Sequence, residues 1–251
     1  MDKPVAEPEE ARWLEVPDAA LLLEAARVTQ PARPDLEAPC AYPLLATFLL
    51  TGGRRSEVLG LEVEDVSFDR QTVTFRRNAS RRRLKTRPSH RTVPLWPQLE
   101  EILKPYADRR VIEHGGHLLF PRFEESRELM LADFRKLLDR VSVRAGFSAP
   151  VLDAQGNPVR DTKGRPRVRG TLTSKMFRHT YCAARLQTLD RGAPVSLYTV
   201  SREMGHGSQD MVERVYSHLG VVRHRSEAVE YRVEQHADAL AERLETLKAP
   251  I

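Results

Sequence analysis

A mainly α-helical chain with one small three-stranded antiparallel β-sheet is the fold class this sequence predicts. Three observations carry that reading. Residues 41–50, AYPLLATFLL, are apolar almost all round, which suits a helix buried on every side. Between Glu64 and Leu95 the pattern shortens to the two-residue alternation of strands. On either side of that window, apolar residues recur at helical spacing.

The elements follow in order. Residues 1–13 are acidic and polar and read as a flexible lead-in, without the character of a signal peptide. Val16-Pro17-Asp18 opens a helix to about Thr29, with Leu21, Leu22, Ala25 and Val28 as its apolar stripe. The proline-rich stretch 30–40 is a loop. The buried helix 41–50 stops at Gly52-Gly53, since glycine accepts the left-handed turn that ends many helices. A short helix runs from Arg54 to Gly60.

Val66-Ser67-Phe68 and Thr72 to Phe75 form two strands about a turn, and Arg91 to Leu95 a third. Pro94 places the third at a sheet edge, because proline has no N–H for a ladder. Pro97 then starts a helix to about Val111, which Pro105 is expected to kink or split. Leu118 to Phe120 is a short extended piece, and 126–144 reads as one long amphipathic helix. Residues 149–170, rich in Gly, Pro and charge, form an exposed β-hairpin arm inserted in the domain. Helices follow through Leu219, and 226–247 is a polar helix with a narrow apolar stripe suited to docking, on its own domain or on a neighbouring protomer. No internal repeat is evident. The whole divides into the lead-in 1–13, a single domain over 14–225, and a C-terminal helix and tail over 226–251.

Composition narrows the function. The 251 residues suffice for a full core, and no run of eighteen apolar residues offers a membrane span. Cys40 and Cys182 lie far apart with no metal-ligand partners at useful spacing, which argues against a disulfide framework or a zinc site and fits a reducing cytoplasm. The net charge of +5 is modest, but eight Lys or Arg residues and no acid fall between Arg76 and Arg91. Six more lie between Lys163 and Arg178. Clustered cations of this kind point to a polyanion, most often nucleic acid, with a merely solvated face as the alternative. The candidate contacts are Arg76, Arg77, Arg81, Arg82, Arg83 and Arg87 in the first cluster, and Lys163, Arg165, Arg167 and Arg169 in the second.

The chemistry concentrates between Thr173 and Leu219. Lys175 and Arg178, three apart, share one face of a helix. Met204-Gly205-His206 is a turn with a proton-handling side chain, and Tyr216 is a potential oxygen nucleophile. Two cations, a histidine and a tyrosine are what chemistry at a phosphate needs.

Lys175, Arg178-His179-Thr180, Met204-Gly205-His206 and Tyr216-Ser217-His218 resemble the catalytic blocks of the tyrosine recombinase (phage integrase) family. The resemblance continues upstream. Thr51-Gly52-Gly53-Arg54-Arg55-Ser56-Glu57-Val58 is similar to the family's first arginine segment. Leu84-Lys85-Thr86, with Ser89, Arg91, Val93, Pro94 and Leu95, is similar to its lysine-bearing β-hairpin. The blocks run in the family's order over about residues 14–220. Two departures stand: Lys175 replaces the usual histidine, and the gap from His206 to Tyr216 is one residue longer than common.

The resemblance implies the DNA breaking-rejoining catalytic fold and site-specific recombination, that is integration or excision. Tyr216 would attack a DNA phosphorus to give a 3′-phosphotyrosine link. Arg54 and Arg178 would grip the phosphate, Lys85 protonate the leaving oxygen, His206 hydrogen-bond the phosphate, and Lys175 assist proton removal or add charge. No metal or other cofactor is implied, and cations serve in the metal's place. The implied partners are double-stranded DNA and further protomers in a synaptic tetramer, the implied location the cytoplasm at the nucleoid. The family usually carries a helical DNA-clamping domain ahead of the catalytic one. Fewer than twenty residues precede the first helix here, so the chain alone is expected to bind DNA weakly. The rival readings are a type IB topoisomerase-like relaxing enzyme, a DNA-binding protein with a relic site, and a helical RNA- or polyanion-binding protein.

Overall fold

A computed structural model describes residues 12–31, 40–77, 90–125, 127–190, 193–205 and 212–213. Helix α1 (Val16–Arg27) takes proline in its first turn and lies against α2 (Ala41–Thr51). α2 is the central element and also packs on the later helices α4 and α6. Leu44, Leu45, Ala46 and Phe48 of α2 are fully buried, as its continuous apolar run requires. Phe48 meets Phe134 at 4.9 Å and Phe177 at 6.0 Å between ring centroids, joining three helices at one point.

The short α3 (Arg55–Leu59) leads through a single 3-10 turn (Val63–Asp65) into the sheet. Strands β1 (Val66–Ser67), β2 (Thr72–Phe75) and β3 (Arg91–Pro94) pair antiparallel in that order, with Phe75 opposite Arg91. Pro94 is on an edge strand, as expected. α4 (Pro97–His114) starts on proline after Trp96. It runs as one helix through Pro105, so the expected break is absent.

The single long helix expected over 126–144 is corrected. β4 (Pro121–Glu124) and β5 (Arg127–Met130) form a hairpin, and α5 begins only at Phe134 and ends at Arg144. The cause is tertiary. Glu128 of β5 accepts the backbone N–H groups of His117 (2.8 Å) and Leu118 (3.0 Å) and pairs with buried Arg110. Helical periodicity in the sequence carries no trace of those partners.

The arm after α5 is richer than a plain hairpin. β6 (Ser148–Pro150) pairs with β7 (Val168–Gly170), and two tight turns lie between them. Both turns have the sequence Asp-x-x-Gly-x-Pro, at Asp153 to Pro158 and again at Asp161 to Pro166. This short repeat of eight residues corrects the expectation that the chain holds no internal repeat. The root of the arm is fixed: Gly170 N–H donates to Asp139 at 2.6 Å, and Arg135 donates to the carbonyls of Gly170 and Leu172. A Cβ on Gly170 would come within 2.6 Å of the Ser142 side chain, so only glycine lets the arm lie against α5.

α6 (Ser174–Leu186) is capped by Thr173, whose hydroxyl accepts from Met176 N–H. A two-stranded ribbon, β8 (Leu189–Asp190) with β9 (Ala193–Pro194), leads to α7 (Leu197–Met204), capped by Ser196. α6 and α7 share a second core of Tyr181, Cys182, Leu186, Val200 and Met204. The expected helix over 226–247 lies outside the described residues. Among the described residues no helix is long and apolar enough to cross a membrane.

Candidate active site

The site begins where α2 stops. Gly52 sits in the left-handed region at φ 59°, and a Cβ there would lie 2.5 Å from the Tyr181 ring. A Cβ on Gly53 would meet Val58 at 2.5 Å. The two glycines let the backbone thread between α6 and α3. Its carbonyl at Gly52 then faces Arg178, and Arg54 emerges at the entry to α3.

Three arginines from distant parts of the chain converge on the last turn of α7. Arg91 Nε donates to the Glu203 carbonyl at 2.5 Å, Arg178 Nη2 to the Met204 carbonyl, and Arg54 Nη2 to the Gly205 carbonyl at 2.8 Å. Three successive carbonyls each take one guanidinium. The end of a helix leaves carbonyls without intrahelical partners and carries partial negative charge, so it is a natural seat for cations. Gly205, in the left-handed region at φ 64°, closes the helix.

Glu57 ties the arginines together. Its Oε1 accepts from Arg54 Nη1 at 2.8 Å, and its Oε2 from Arg91 Nη2 at 2.8 Å and from the Arg54 backbone N–H at 2.8 Å. Burial alone would raise its pKa, but Arg91 and then Arg54 outweigh burial and hold it at about 2. Arg91 also lies over the Phe75 ring at 4.4 Å.

Arg178 is nearly covered and hydrogen-bonds Gly52 O at 2.6 Å. Burial first, then repulsion from Arg54 and Arg91, push its guanidinium down to about 9, so it still carries its charge at neutral pH. Glu57 pairs with two members of this trio, Arg54 and Arg91. Cations gathered in a partly covered site are suited to receive an anion.

Beneath the site, Glu203 accepts from Tyr181 Oη at 2.9 Å and from Arg185 through two nitrogens, at 2.9 and 3.0 Å. Burial and then the Glu203 charge drive the Tyr181 phenol well upward, and its buried hydroxyl is committed to Glu203. His179 and Thr180 reach the segment ahead of α1: His179 Nδ1 lies 3.3 Å from the Arg12 carbonyl, and Thr180 Oγ1 accepts from Leu14 N–H at 2.9 Å. Together they hold the segment ahead of α1 against α6.

Of the expected catalytic residues, the fold brings together Arg54 and Arg178. Lys175 is exposed in the first turn of α6, three residues before Arg178. Lys85, His206 and Tyr216 lie outside the described residues. His206 follows Gly205 directly in the chain, and Lys85 belongs to the connection between β2 and β3. Arg91 and Glu57 were legible as part of the quoted motifs, but their joint role as a brace was not.

Of the expected DNA contacts, Arg76 is engaged by Asp65 and Glu64, which raise its pKa further, and Arg77 is exposed. Arg81, Arg82, Arg83 and Arg87 lie outside the described residues. Lys163, Arg165, Arg167 and Arg169 are all exposed on the arm. Among the described residues, no group of three or more His, Cys, Asp or Glu is placed to hold a metal ion.

With this geometry in place, likeness to known proteins can be weighed. The family model described as "Phage integrase family" matches residues 24–221. A tyrosine recombinase XerC-like protein of Caldanaerobacter subterraneus subsp. tengcongensis is 25% identical over 215 residues, covering 77% of this chain and 50% of that protein. The chain thus spans about half the length of the curated relative it matches. Among solved structures, XerA recombinase is similar at a TM-score of 0.55 and 18% identity, over 93% of this chain and 67% of that one. XerH recombinase bound to a palindromic difH substrate gives 0.55 and 20%, over 86% and 52%. The Tn1549 transposon integrase with circular intermediate DNA gives 0.57 and 16%, over 91% and 68%. Identities this low speak for the fold, and the fold is that of the tyrosine recombinase catalytic domain.

Proposed function

The chain belongs to the phage integrase family, and on that premise we propose that it cuts and rejoins DNA strands in site-specific recombination, with Tyr216 as nucleophile. The observation that carries the reading is the convergence of Arg54 and Arg178, from opposite ends of the domain, on adjacent carbonyls of α7. Guanidinium groups grip phosphate oxygens through parallel hydrogen bonds and offset the charge of a pentacoordinate transition state.

In the proposed step the Tyr216 oxygen bonds to phosphorus as the bond from phosphorus to the 5′ oxygen breaks. The link formed is a 3′-phosphotyrosine, and the leaving oxygen takes a proton from Lys85 to become a 5′-hydroxyl. Attack by a 5′-hydroxyl reverses the step and restores the phosphodiester, so the bond energy is conserved. His206 donates a hydrogen bond to the phosphate. Lys175 adds charge at the start of α6 and favours the phenolate of Tyr216. Glu57 and Arg91 touch no substrate in this scheme; they hold Arg54 in place. The partners are duplex DNA and further protomers assembled on it. XerH recombinase bound to a difH substrate and the Tn1549 integrase in complex with circular intermediate DNA support the DNA partner.

The test is covalent trapping on nicked duplexes, with Tyr216→Phe beside the wild type. A protein–DNA adduct that survives denaturant in the wild type and vanishes in Tyr216→Phe is the expected result. An adduct that persists in Tyr216→Phe moves the nucleophile elsewhere, with exposed Tyr198 the first alternative among the described residues.

A further inference from the structure

The arm between α5 and α6 contains its own internal control. Its two turns are built alike. Asp153 Oδ1 accepts from the N–H groups of Gln155 (2.9 Å) and Asn157 (2.8 Å); Asp161 Oδ1 accepts from those of Lys163 (2.8 Å) and Arg165 (2.9 Å). Gly156 and Gly164 take the same left-handed conformation, at φ 85° and 76°. Asp153 N–H donates to Asn157 O at 2.9 Å, and Asp161 N–H to Arg165 O at 2.8 Å.

The strands between the turns close on one another. Val159 N–H donates to Val151 O, Arg167 N–H to Val159 O, and Val151 N–H back to Arg167 O, at 2.8, 2.8 and 2.9 Å. The outcome is a rigid three-stranded knot whose backbone groups satisfy one another.

The tips differ in one respect. The first turn presents Ala154, Gln155 and Asn157, all uncharged; the second presents Thr162, Lys163 and Arg165. Since the first turn closes without charge, the frame does not require Lys163 or Arg165. The one ion pair at the second tip, Arg165 to Asp161 at 3.3 Å, is exposed and worth little to the fold. Arg160, Arg167 and Arg169 stand exposed on the strands below. Asp153 and Asp161 each use Oδ1 to close a turn, and Asp161 Oδ2 alone meets a tip cation, Arg165, in that exposed pair.

We propose that the second turn of the arm, through Lys163 and Arg165, grips the phosphodiester backbone of duplex DNA beside the cleavage site, while the first turn serves as its buttress. This rests on the DNA-cleaving reading above. The root at Gly170 is locked to α5, and three residues further on Thr173 begins the turn that carries Lys175. Seven residues separate Lys163 from Gly170, a reach of at most about 25 Å even if fully extended. That bound is shorter than one turn of the duplex, about 34 Å, and keeps the tip of the arm near the start of α6, which carries Lys175 and Arg178.

The repeat also supplies the variant. Lys163→Gln with Arg165→Asn gives the second tip the residues the first tip already folds with. The full chain and this variant are compared for binding to a random-sequence duplex over a salt series. Loss of two phosphate contacts lowers the slope of log affinity against log salt by about 1.8. A second variant adds Gln155→Lys and Asn157→Arg, restoring the net charge on the wrong turn; it is expected to keep the reduced slope. Hydroxyl-radical footprints on trapped adducts should lose protection within one turn of the cut in both. An unchanged slope in the first variant overturns the proposal, and so does full recovery in the second, which would make net charge the whole effect. Either result leaves the cleavage reading intact, because adduct formation by Tyr216 is scored separately. A wild-type chain that neither binds duplex with a salt slope nor forms adduct defeats both readings together.

Discussion

Arg54 and Arg178 donate to neighbouring carbonyls, Gly205 O and Met204 O, at the end of one short helix. One arginine enters α3 and the other leaves the middle of α6, so α7 fixes the spacing between them. Residues that would each be mobile in solution are held before substrate arrives, which is where an electrostatic site gains its advantage.

Removing Arg178 separates charge from fold. Burial and two like charges disfavour its guanidinium, while two hydrogen bonds hold it. In Arg178→Met these effects oppose one another, so stability in urea should change by less than about 2 kcal/mol. Single-turnover cleavage should fall by about 100- to 1000-fold, the usual loss for one transition-state donor. Unfolding of Arg178→Met at neutral pH would instead make the residue chiefly structural.

Glu57 makes stability depend on acid. Its folded pKa of about 2 lies below the ordinary glutamate value of 4.5, so the native state favours the ionised form. The contribution is present above the unfolded pKa and disappears as pH falls from about 5 toward 2. A shift of this size is worth roughly 3 kcal/mol. Glu57→Gln should be less stable at pH 7 and show a correspondingly flatter decline in acid, read from urea midpoints across pH. Parallel declines in variant and wild type would remove Glu57 from this role.

Gly52 is required for space as well as for its dihedral angle. Gly52→Ala places a methyl 2.5 Å from the Tyr181 ring and moves the carbonyl that holds Arg178. Gly146 has φ 87° but nothing within 4 Å of its added Cβ. Gly146→Ala should cost about 1 kcal/mol, and Gly52→Ala distinctly more with a loss of cleavage. Equal costs, measured by thermal denaturation, would deny the steric part.

Tyr181 lies in the middle of the catalytic helix but faces Glu203. Tyr181→Phe should lower stability by about 1 kcal/mol and leave adduct formation in place. Loss of the adduct in Tyr181→Phe without a change in folding would contradict its assignment as a buried structural group.

Much of this protein was decided by local pattern. The run AYPLLATFLL dictates a buried helix wherever it is placed, Gly52 ends it, and the alternation at Thr72 to Phe75 and Arg91 to Pro94 makes strands in register. The order of Arg54, Lys85, Lys175, Arg178, His206 and Tyr216 in the chain marked the family before any coordinate was known. Where local pattern failed, a distant partner had intervened. Residues 127–130 carry helical periodicity but form a strand, because Glu128 answers Arg110 and two backbone N–H groups on another segment. Pro105 does not break α4.

The sequence alone named the candidate residues; tertiary structure alone decided how Arg54 and Arg178 are held. Arg54 and Glu57, Arg91, Arg178 and the three carbonyls at the end of α7 form one brace from four separated stretches. Propensity and periodicity act over a few residues, whereas the pairing of buried charges depends on which chain segments the core brings within about 3 Å.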